Sequence, residues 1–248
     1  MKTLRRQLGE LPRNLPGLIL AEPIASLCQR YLSWYYKHLE WKSWHKGSPE
    51  WFDHRIDLYR WPDHLNPHWV ERGIYSKEMM FPGCRVLDVA CGDGFYAHFF
   101  YASTGAMIDC VDINERAIVH ANRHHSHPNI RYFHLDAVRD DFPDAGYDVI
   151  CFDGAIDHFT RAEFDIVLTK AKQALGSSGV LTGFQQLGEH EPTNEHPVCF
   201  PTEVELAAYL SGYFSQVGTL ITDTPGRRNC YIRCSDDQGK LGRFQQQR

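Results

Sequence analysis

The stretch that decides the fold of this chain reads Val86-Leu87-Asp88-Val89-Ala90-Cys91-Gly92-Asp93-Gly94-Phe95. Its first residues are mainly apolar and β-branched, which predicts a buried strand. Two glycines one residue apart then turn the chain, and a buried helix is predicted to begin at Phe95. Such glycines let a ligand approach the backbone, and the first N–H groups of a helix are unpaired. The stretch therefore predicts a nucleotide site, and the Asp88 carboxylate favours a ligand with a positive group over a pyrophosphate.

The composition is that of an ordinary globular protein, with 248 residues and 43% hydrophobic content. This length suits one α/β domain with an appendage. No apolar run approaches the ~20 residues that cross a bilayer, so no membrane partner is expected. The eight cysteines include no CxxC pair, which favours a reducing, cytoplasmic location.

The net charge of −5 is unevenly distributed, with +3 in residues 1–80 and −8 in residues 81–248. Nucleic-acid binding needs a basic face. The acidic C-terminal part therefore argues against a nucleic-acid partner and leaves a small-molecule substrate as the expectation.

Strand-like and helix-like segments alternate after Gly83, which predicts a parallel sheet covered by helices on both faces. Thr224–Arg228 is a hairpin signal between two final strand-like runs. The predicted strands are Arg85–Val89, Met107–Val111, Ile130–His134, Tyr147–Phe152, Gly179–Phe184, Phe214–Thr222 and Asn229–Cys234. The predicted helices that follow the first are Glu115–His124, Ala162–Leu175 and Thr202–Leu210.

All six tryptophans fall between residues 34 and 69. They predict an N-terminal helical cap over residues 1–80. Its aromatic side chains either pack an extra helical layer against the core or form a lid over a ligand. The core is then residues 81–236, followed by a frayed polar tail, 237–248. Tyr59, Arg60 and Trp61 are the expected cap residues at the substrate.

The glycine turn also fits the loose dinucleotide fingerprint, because Gly92 to Ala97 reads G-x-G-x-x-A and Asp112 follows about 20 positions later. A nicotinamide-dependent oxidoreductase therefore stays open at this point. A non-catalytic partner subunit, which uses the aromatic N-terminus as an interface, is a further alternative.

Further segments carry a resemblance to a known family. From Gly83 to Cys234 the chain resembles the class I S-adenosylmethionine-dependent methyltransferases. The segments that carry it are Leu87–Gly94, Asp112, His134–Ala137, Tyr147–Gly154 and Ala174–Leu181, in the family's order and at its intervals. The resemblance implies a Rossmann-like fold with a mostly parallel seven-stranded sheet, whose last strand is antiparallel, and S-adenosylmethionine as cofactor.

The resemblance also implies roles for individual residues. Asp112 is similar to the ribose-binding acid and Asp136 to the acid at the adenine amino group, with Ile113 and Ala137 beside the adenine. The other implied cofactor residues are Asp88, Ala90, Gly92, Gly94, Asp153 and Gly154. Four acids suit an ammonium, ribose hydroxyls and an adenine amino group, and would repel a pyrophosphate, which favours S-adenosylmethionine over NAD.

The loop after the fourth predicted strand contains the candidate catalytic residues Asp157 and His158. His158 is the expected general base because its unperturbed pKa lies near neutrality, and Asp157 would orient it or bind substrate. A base is needed for a hydroxyl acceptor, so oxygen is favoured over nitrogen.

A metal is not expected, because Gln185-Gln186 stands where metal-dependent relatives of the catechol type carry an Asp-Asn pair. His190, Glu191, Glu195 and His196 follow the fifth predicted strand and offer contacts to substrate or a divalent ion.

Overall fold

The computed structural model describes residues 23–24, 26–28, 30–31, 34, 67–188, 193, 196–224 and 226–246. Its chain divides into two compact units, Met1–Tyr59 and Arg60–Arg248. In the first unit the rings of Tyr31 and Trp34 stack with their centroids 6.2 Å apart. The proposed substrate residues Tyr59, Arg60 and Trp61 lie outside the described residues, as does most of the tryptophan-rich segment.

The second unit is built from eight strands and four α-helices within the described ranges. The strands are β1 Arg85–Val89, β2 Met107–Asp112, β3 Ile130–His134, β4 Tyr147–Asp153, β5 Leu175–Leu187, β6 Gln216–Thr224, β7 Arg227–Ser235 and β8 Gln245–Gln246. The helices are α1 His68–Lys77, α2 Glu115–His124, α3 Arg161–Ala174 and α4 Glu203–Leu210.

All eight strands form one sheet in the order β3-β2-β1-β4-β5-β7-β6-β8. Strands β1 to β5 pair in parallel, and β7 lies antiparallel between β5 and β6. The prediction of a Rossmann-like, mostly parallel sheet is confirmed, and β8 adds a short antiparallel strand beside β6. The strand order reverses between β1 and β4, and open α/β sheets bind ligands at this switch point.

Local sequence signals account for the helix starts. The Asn114 side chain accepts hydrogen bonds from the N–H groups of Arg116 and Ala117, which caps α2 as predicted. Thr160 and Glu163 form a reciprocal capping box at α3. These caps fix where each helix leaves the carboxyl edge of the sheet.

The helix after the glycine turn differs from the expectation, because residues 97–101 form a π-helix and residues 102–104 a 3-10 turn. The wider π turn puts Tyr96 and Tyr101 on one face, with their stacked rings 6.5 Å apart. Both side chains are buried. The Tyr101 hydroxyl then donates to Asp153 at the end of β4, whereas the Tyr96 hydroxyl donates to the Trp69 carbonyl oxygen of α1.

Helix α1 packs on the sheet of the second unit, although the sequence analysis assigned residues up to 80 to the cap. Tyr75 contacts Tyr231 of β7 with ring centroids 4.5 Å apart. Glu71 accepts a hydrogen bond of 2.6 Å from the Tyr231 hydroxyl. These contacts place residues 68–77 with the core.

The expectation of a frayed tail over residues 237–248 is wrong for the part that the structure describes. Leu241 and Phe244 are buried. The buried Arg233 guanidinium lies 4.1 Å from the Phe244 ring centroid and donates to the Leu241 carbonyl oxygen. Two apolar residues in a polar segment therefore hold it against β7.

None of the helices in the described part of the chain has the length and apolarity that a membrane crossing requires.

Candidate active site

The loop after β1 turns through three residues with positive φ. Ala90 has φ 58°, Gly92 has φ 57° and Gly94 has φ 78°. A left-handed alanine is uncommon and costs free energy, and such strain concentrates at functional sites. Ala90 is also exposed, so the strained turn lies open at the switch point of the sheet.

The two glycines of this loop have different reasons to be glycine. A Cβ at Gly92 would meet no heavy atom of the described residues within 4 Å, so its backbone faces space that a ligand can fill. A Cβ at Gly94 would lie 2.6 Å from the ring of Tyr132, so a side chain of the protein occupies that space. Gly92 therefore suits cofactor approach, whereas Gly94 is required by packing on β3.

Asp112 ends β2 beside this loop and holds it in place. One carboxylate oxygen accepts a hydrogen bond of 2.8 Å from the Gly92 N–H, and the other accepts one of 2.8 Å from the Asn114 N–H. Burial raises the pKa of Asp112, and these two backbone bonds oppose the rise. Each carboxylate oxygen retains a second lone pair for a ligand hydroxyl. The neighbouring Ile113 is 66% exposed and offers an apolar surface for a flat ring.

Asp136 caps its own turn after β3. Its carboxylate accepts a hydrogen bond of 2.9 Å from the Val138 N–H and pairs with the exposed Arg139 at 3.5 Å. The next residue, Ala137, is buried, and its carbonyl oxygen accepts a bond of 2.8 Å from Lys170. The turn is thus fixed by internal bonds, which keep the Asp136 carboxylate at the sheet edge.

Asp153, at the end of β4, is engaged by groups of the protein. Its carboxylate accepts hydrogen bonds from the Ser76 hydroxyl at 3.0 Å and from the Tyr101 hydroxyl at 2.5 Å. The Arg72 guanidinium donates to the Asp153 carbonyl oxygen. A Cβ at Gly154 would lie 2.6 Å from a guanidinium nitrogen of Arg72, so glycine is needed there to admit that side chain. Asp153 is therefore an anchor for α1 and the π-helix, and its expected contact with the cofactor stays a prediction.

Arg72 is a buried cation at the centre of these contacts. Only 3% of its surface is exposed. Its guanidinium carbon lies 5.0 to 5.1 Å from the ring centroids of Trp69, Tyr96 and Phe184. Cation–π contacts of this kind stabilise a desolvated guanidinium.

The acids at the switch point act on one another. Burial raises the pKa of Asp88 well above its ordinary value, and the charges of Asp153 and Asp112 add to that rise. Burial also raises the pKa of Asp153, against the effect of the Arg72 charge. A ligand with an ammonium group would relieve this repulsion, because an opposite charge stabilises ionised carboxylates.

The loop after β4 brings together Asp157, His158 and His196. The Asp157 carboxylate lies 3.0 Å from Nδ1 of His196 and orients that ring, a contact that the sequence did not indicate. The expectation that Asp157 orients His158 or binds substrate stays a prediction. The ring centroids of His158 and His196 are 4.7 Å apart. His158 is exposed, and its charge is one of the smaller causes that lower the pKa of Asp112. One ligand atom from each of the three residues lies within 4.8 Å of the others, so they form a candidate metal-binding group.

Sequence reasoning missed Arg72, Ser76 and Tyr101, which reach Asp153 from distant segments. Pro67 at the start of α1 was the available signal for that helix, since proline favours the first positions of helices. His196 was noted only as a loop histidine, because its pairing with Asp157 is a tertiary contact.

Comparisons with known proteins agree with this geometry. Residues 86–179 match the family model described as a methyltransferase domain. The part of the chain from β1 into β5 is therefore similar to a methyltransferase domain. No curated protein sequence matches the chain.

Solved structures similar to this methyltransferase include 1,6-didemethyltoxoflavin-N1-methyltransferase from Burkholderia thailandensis, bound to its substrate and S-adenosylhomocysteine. The identity is 16%, the match covers 77% of this chain and 93% of that one, and the TM-score is 0.55. The DhpI complex with S-adenosylhomocysteine is 17% identical, with 84% and 96% covered and a TM-score of 0.56. The [4+2]-cyclase SpnF is 14% identical, with 66% and 80% covered and a TM-score of 0.53. At these identities the likeness shows the fold.

The residues present fit S-adenosylmethionine. The open space at Gly92 admits a ligand to the backbone, and the buried acids favour a cationic ligand over a pyrophosphate.

Proposed function

We propose that this methyltransferase transfers a methyl group from S-adenosylmethionine to a hydroxyl group of a small molecule. The observation that carries the proposal is the convergence of Asp157, His158 and His196 in the segments that follow β4 and β5. The cofactor supplies an electrophilic methyl on a sulfonium, so the protein has to align the acceptor, exclude water and take a proton.

The cofactor is proposed to lie along the carboxyl edges of β1 and β2. Asp112 would accept from the ribose hydroxyls through its remaining lone pairs, with Ile113 beside the adenine. Asp88 and Arg72 carry opposite charges next to the loop, which matches the ammonium and carboxylate of the methionine end. Asp136 and Ala137 as adenine contacts stay predictions.

A hydroxyl acceptor is favoured because an imidazole–carboxylate pair stands at the acceptor side. An alcohol has to lose its proton, whereas an amine only has to be neutral when it reacts. The similar Burkholderia protein is an N1-methyltransferase, so methyl transfer to nitrogen remains the second candidate. The similar cyclase indicates that this fold alone does not fix the reaction.

The first experiment is calorimetry with S-adenosylhomocysteine and with NAD. Binding of the first in the micromolar range and no binding of NAD are expected. Tight NAD binding without S-adenosylhomocysteine binding would overturn the assignment of the site.

The second experiment is a screen of hydroxyl and amine acceptors with methyl-labelled S-adenosylmethionine. Transfer to a phenol or alcohol supports the proposal, and transfer only to amines contradicts it. Cofactor binding with no transfer to any acceptor would favour the non-catalytic partner subunit.

A cap that closes over the substrate, with contacts from Tyr59, Arg60 and Trp61, is the remaining part of the proposal. Limited proteolysis should show protection of residues 30–75 when S-adenosylhomocysteine binds. Unchanged cleavage in that range would argue against a closing cap.

A further inference from the structure

One cluster contains three potential metal-ligating side chains, those of Asp157, His158 and His196. Nδ1 of His196 lies 3.0 Å from a carboxylate oxygen of Asp157. The third, His158, is exposed, yet its ring is only 4.7 Å from that of His196. The ligand atoms of all three lie within 4.8 Å of one another. Two imidazoles and a carboxylate thus converge on one point.

We propose that this cluster holds one divalent transition-metal ion of the zinc class. Two imidazole nitrogens and one carboxylate oxygen suit Zn²⁺, Co²⁺ or Fe²⁺, whereas Mg²⁺ and Ca²⁺ favour oxygen ligands. Donors around a tetrahedral zinc ion are roughly 3.3 Å apart, from Zn–N distances near 2 Å. The ligand atoms of the cluster, within 4.8 Å of one another, would therefore have to move closer together when the ion binds.

The number of protein ligands indicates the role of the ion. Structural zinc sites are closed by four protein ligands, whereas catalytic sites keep one position open. Three ligands in the described residues leave room for an exogenous oxygen. This part of the inference rests on the proposed function, in which the exogenous oxygen is the acceptor hydroxyl. A divalent ion lowers the pKa of a hydroxyl bound to it, which would help the acceptor to react.

The position of the cluster agrees with that role. Asp157 and His158 follow β4 directly, and His196 lies between β5 and α4. Strands β2 and β4 run parallel to β1, so Asp112, the acid proposed to bind the ribose, ends β2 at the same edge of the sheet. The ion would therefore lie on the acceptor side of the cofactor. This inference departs from the sequence expectation of no metal, which relied on Gln185-Gln186 alone.

Another histidine pair has to be controlled for. His120 and His124 are four residues apart on α2, with ring centroids 4.5 Å apart. Such a pair can bind transition metals at a helix surface. His124→Ala removes it, and His124 is exposed and outside the proposed site, so this variant is the matched control.

The experiment is calorimetric titration of the full-length, chelator-treated protein with Zn²⁺, repeated for His196→Ala, His158→Ala and Asp157→Asn. Circular dichroism confirms that each variant is folded. The wild type and His124→Ala should bind one ion with equal affinity. Substitution of a group that only hydrogen-bonds to a metal ligand weakens metal binding roughly 10- to 100-fold. Loss of a direct ligand should raise the Kd for Zn²⁺ by at least that much.

Co²⁺ gives a second readout that needs no activity. Visible absorption bands of a four- or five-coordinate cobalt site should appear with the wild type and be lost in His196→Ala. Binding that only His124→Ala abolishes, or no stoichiometric binding at all, overturns the inference. S-adenosylhomocysteine binding is measured in parallel, because intact cofactor binding without metal binding refutes the metal site and leaves the proposed function standing.

Discussion

Replacement of Asp112 by asparagine tests the part of the site on which cofactor binding depends. In the structure each carboxylate oxygen accepts a backbone N–H at 2.8 Å, from Gly92 and from Asn114. Asparagine keeps the shape but has only one acceptor oxygen, so one of these donors would face an amide NH₂ group. A hydrogen bond to a charged group contributes about 1.5–3 kcal/mol. The free energy of unfolding of Asp112→Asn should therefore fall by about that amount.

The same substitution should weaken cofactor binding separately. If the carboxylate also accepts from the ribose, the loss of one charged acceptor corresponds to a roughly 10- to 100-fold higher Kd for S-adenosylhomocysteine. Urea unfolding gives the first quantity and calorimetry gives the second. Both are needed, because a less stable loop could by itself reduce the fraction of competent protein.

Asp109→Asn is the matched control for this experiment. Asp109 lies on the same strand and is buried, but its carboxylate pairs with Arg131 at 2.7 Å and accepts from Tyr147 at 2.8 Å. Asp109→Asn should lose stability and keep the wild-type Kd within about twofold. The effects of substitutions at separate sites that share no partners are usually independent of one another. Equal Kd values for Asp112→Asn and wild type, or equal weakening in both variants, would refute the assignment of Asp112.

Three further results are expected. The free energy of unfolding of Gly94→Ala, measured with urea, should fall by about 2–4 kcal/mol, because φ at this position is 78° and the new Cβ would lie 2.6 Å from the Tyr132 ring. Gly83→Ala is the matched control: φ is 82°, and no atom of the described residues lies within 4 Å of the new Cβ. Its free energy of unfolding should fall by only about 1–2 kcal/mol. Burial raises the pKa of Asp88, so the folded state binds this proton more tightly than the unfolded state does. The free energy of unfolding of the wild type should therefore fall as the pH rises from about 4 through the raised pKa. The urea midpoint of Asp88→Asn should then rise relative to the wild type from pH 5 to pH 8, and a constant difference would contradict this reasoning. His158→Ala should reduce methyl transfer about 100-fold or more with an unchanged Kd for S-adenosylhomocysteine; near-normal turnover would remove His158 from the catalytic assignment.

Much of the fold could be predicted because its signals are local. The strand Arg85–Val89 and the helix Glu115–His124 have the bounds that the sequence indicated. An apolar run that ends in a glycine turn is a property of a few neighbouring positions. The mostly parallel sheet with an antiparallel last strand followed from the family resemblance.

The interior of the site could not be predicted in the same way. Arg72 reaches Asp153 across 81 positions of sequence, and nothing local to α1 indicates that contact. The π turn at residues 97–101 depends on how Tyr101 meets β4. The pairing of Asp157 with His196 likewise joins two loops that only the sheet brings together.

The acids illustrate why residue type alone is an incomplete guide. Asp88, Asp112, Asp136 and Asp153 were assigned together as cofactor contacts. In the structure the Asp153 carboxylate accepts hydrogen bonds from Ser76 and Tyr101, and the Asp136 carboxylate accepts one from a backbone N–H of its own turn. Asp112 combines an internal role with capacity for a ligand. Which carboxylate is available depends on the donors that folding brings to it.

Helix α1 has a consequence for how this protein could be divided or recombined. The matched methyltransferase region begins at residue 86, whereas Arg72 and Ser76 come from before it. A truncation that starts at that region would leave the buried Asp153 carboxylate with the Tyr101 hydroxyl, but without the Ser76 hydroxyl and the Arg72 charge. The smallest transferable unit is therefore larger than the matched segment, and grafting a foreign N-terminal half would require a replacement for that buried cation.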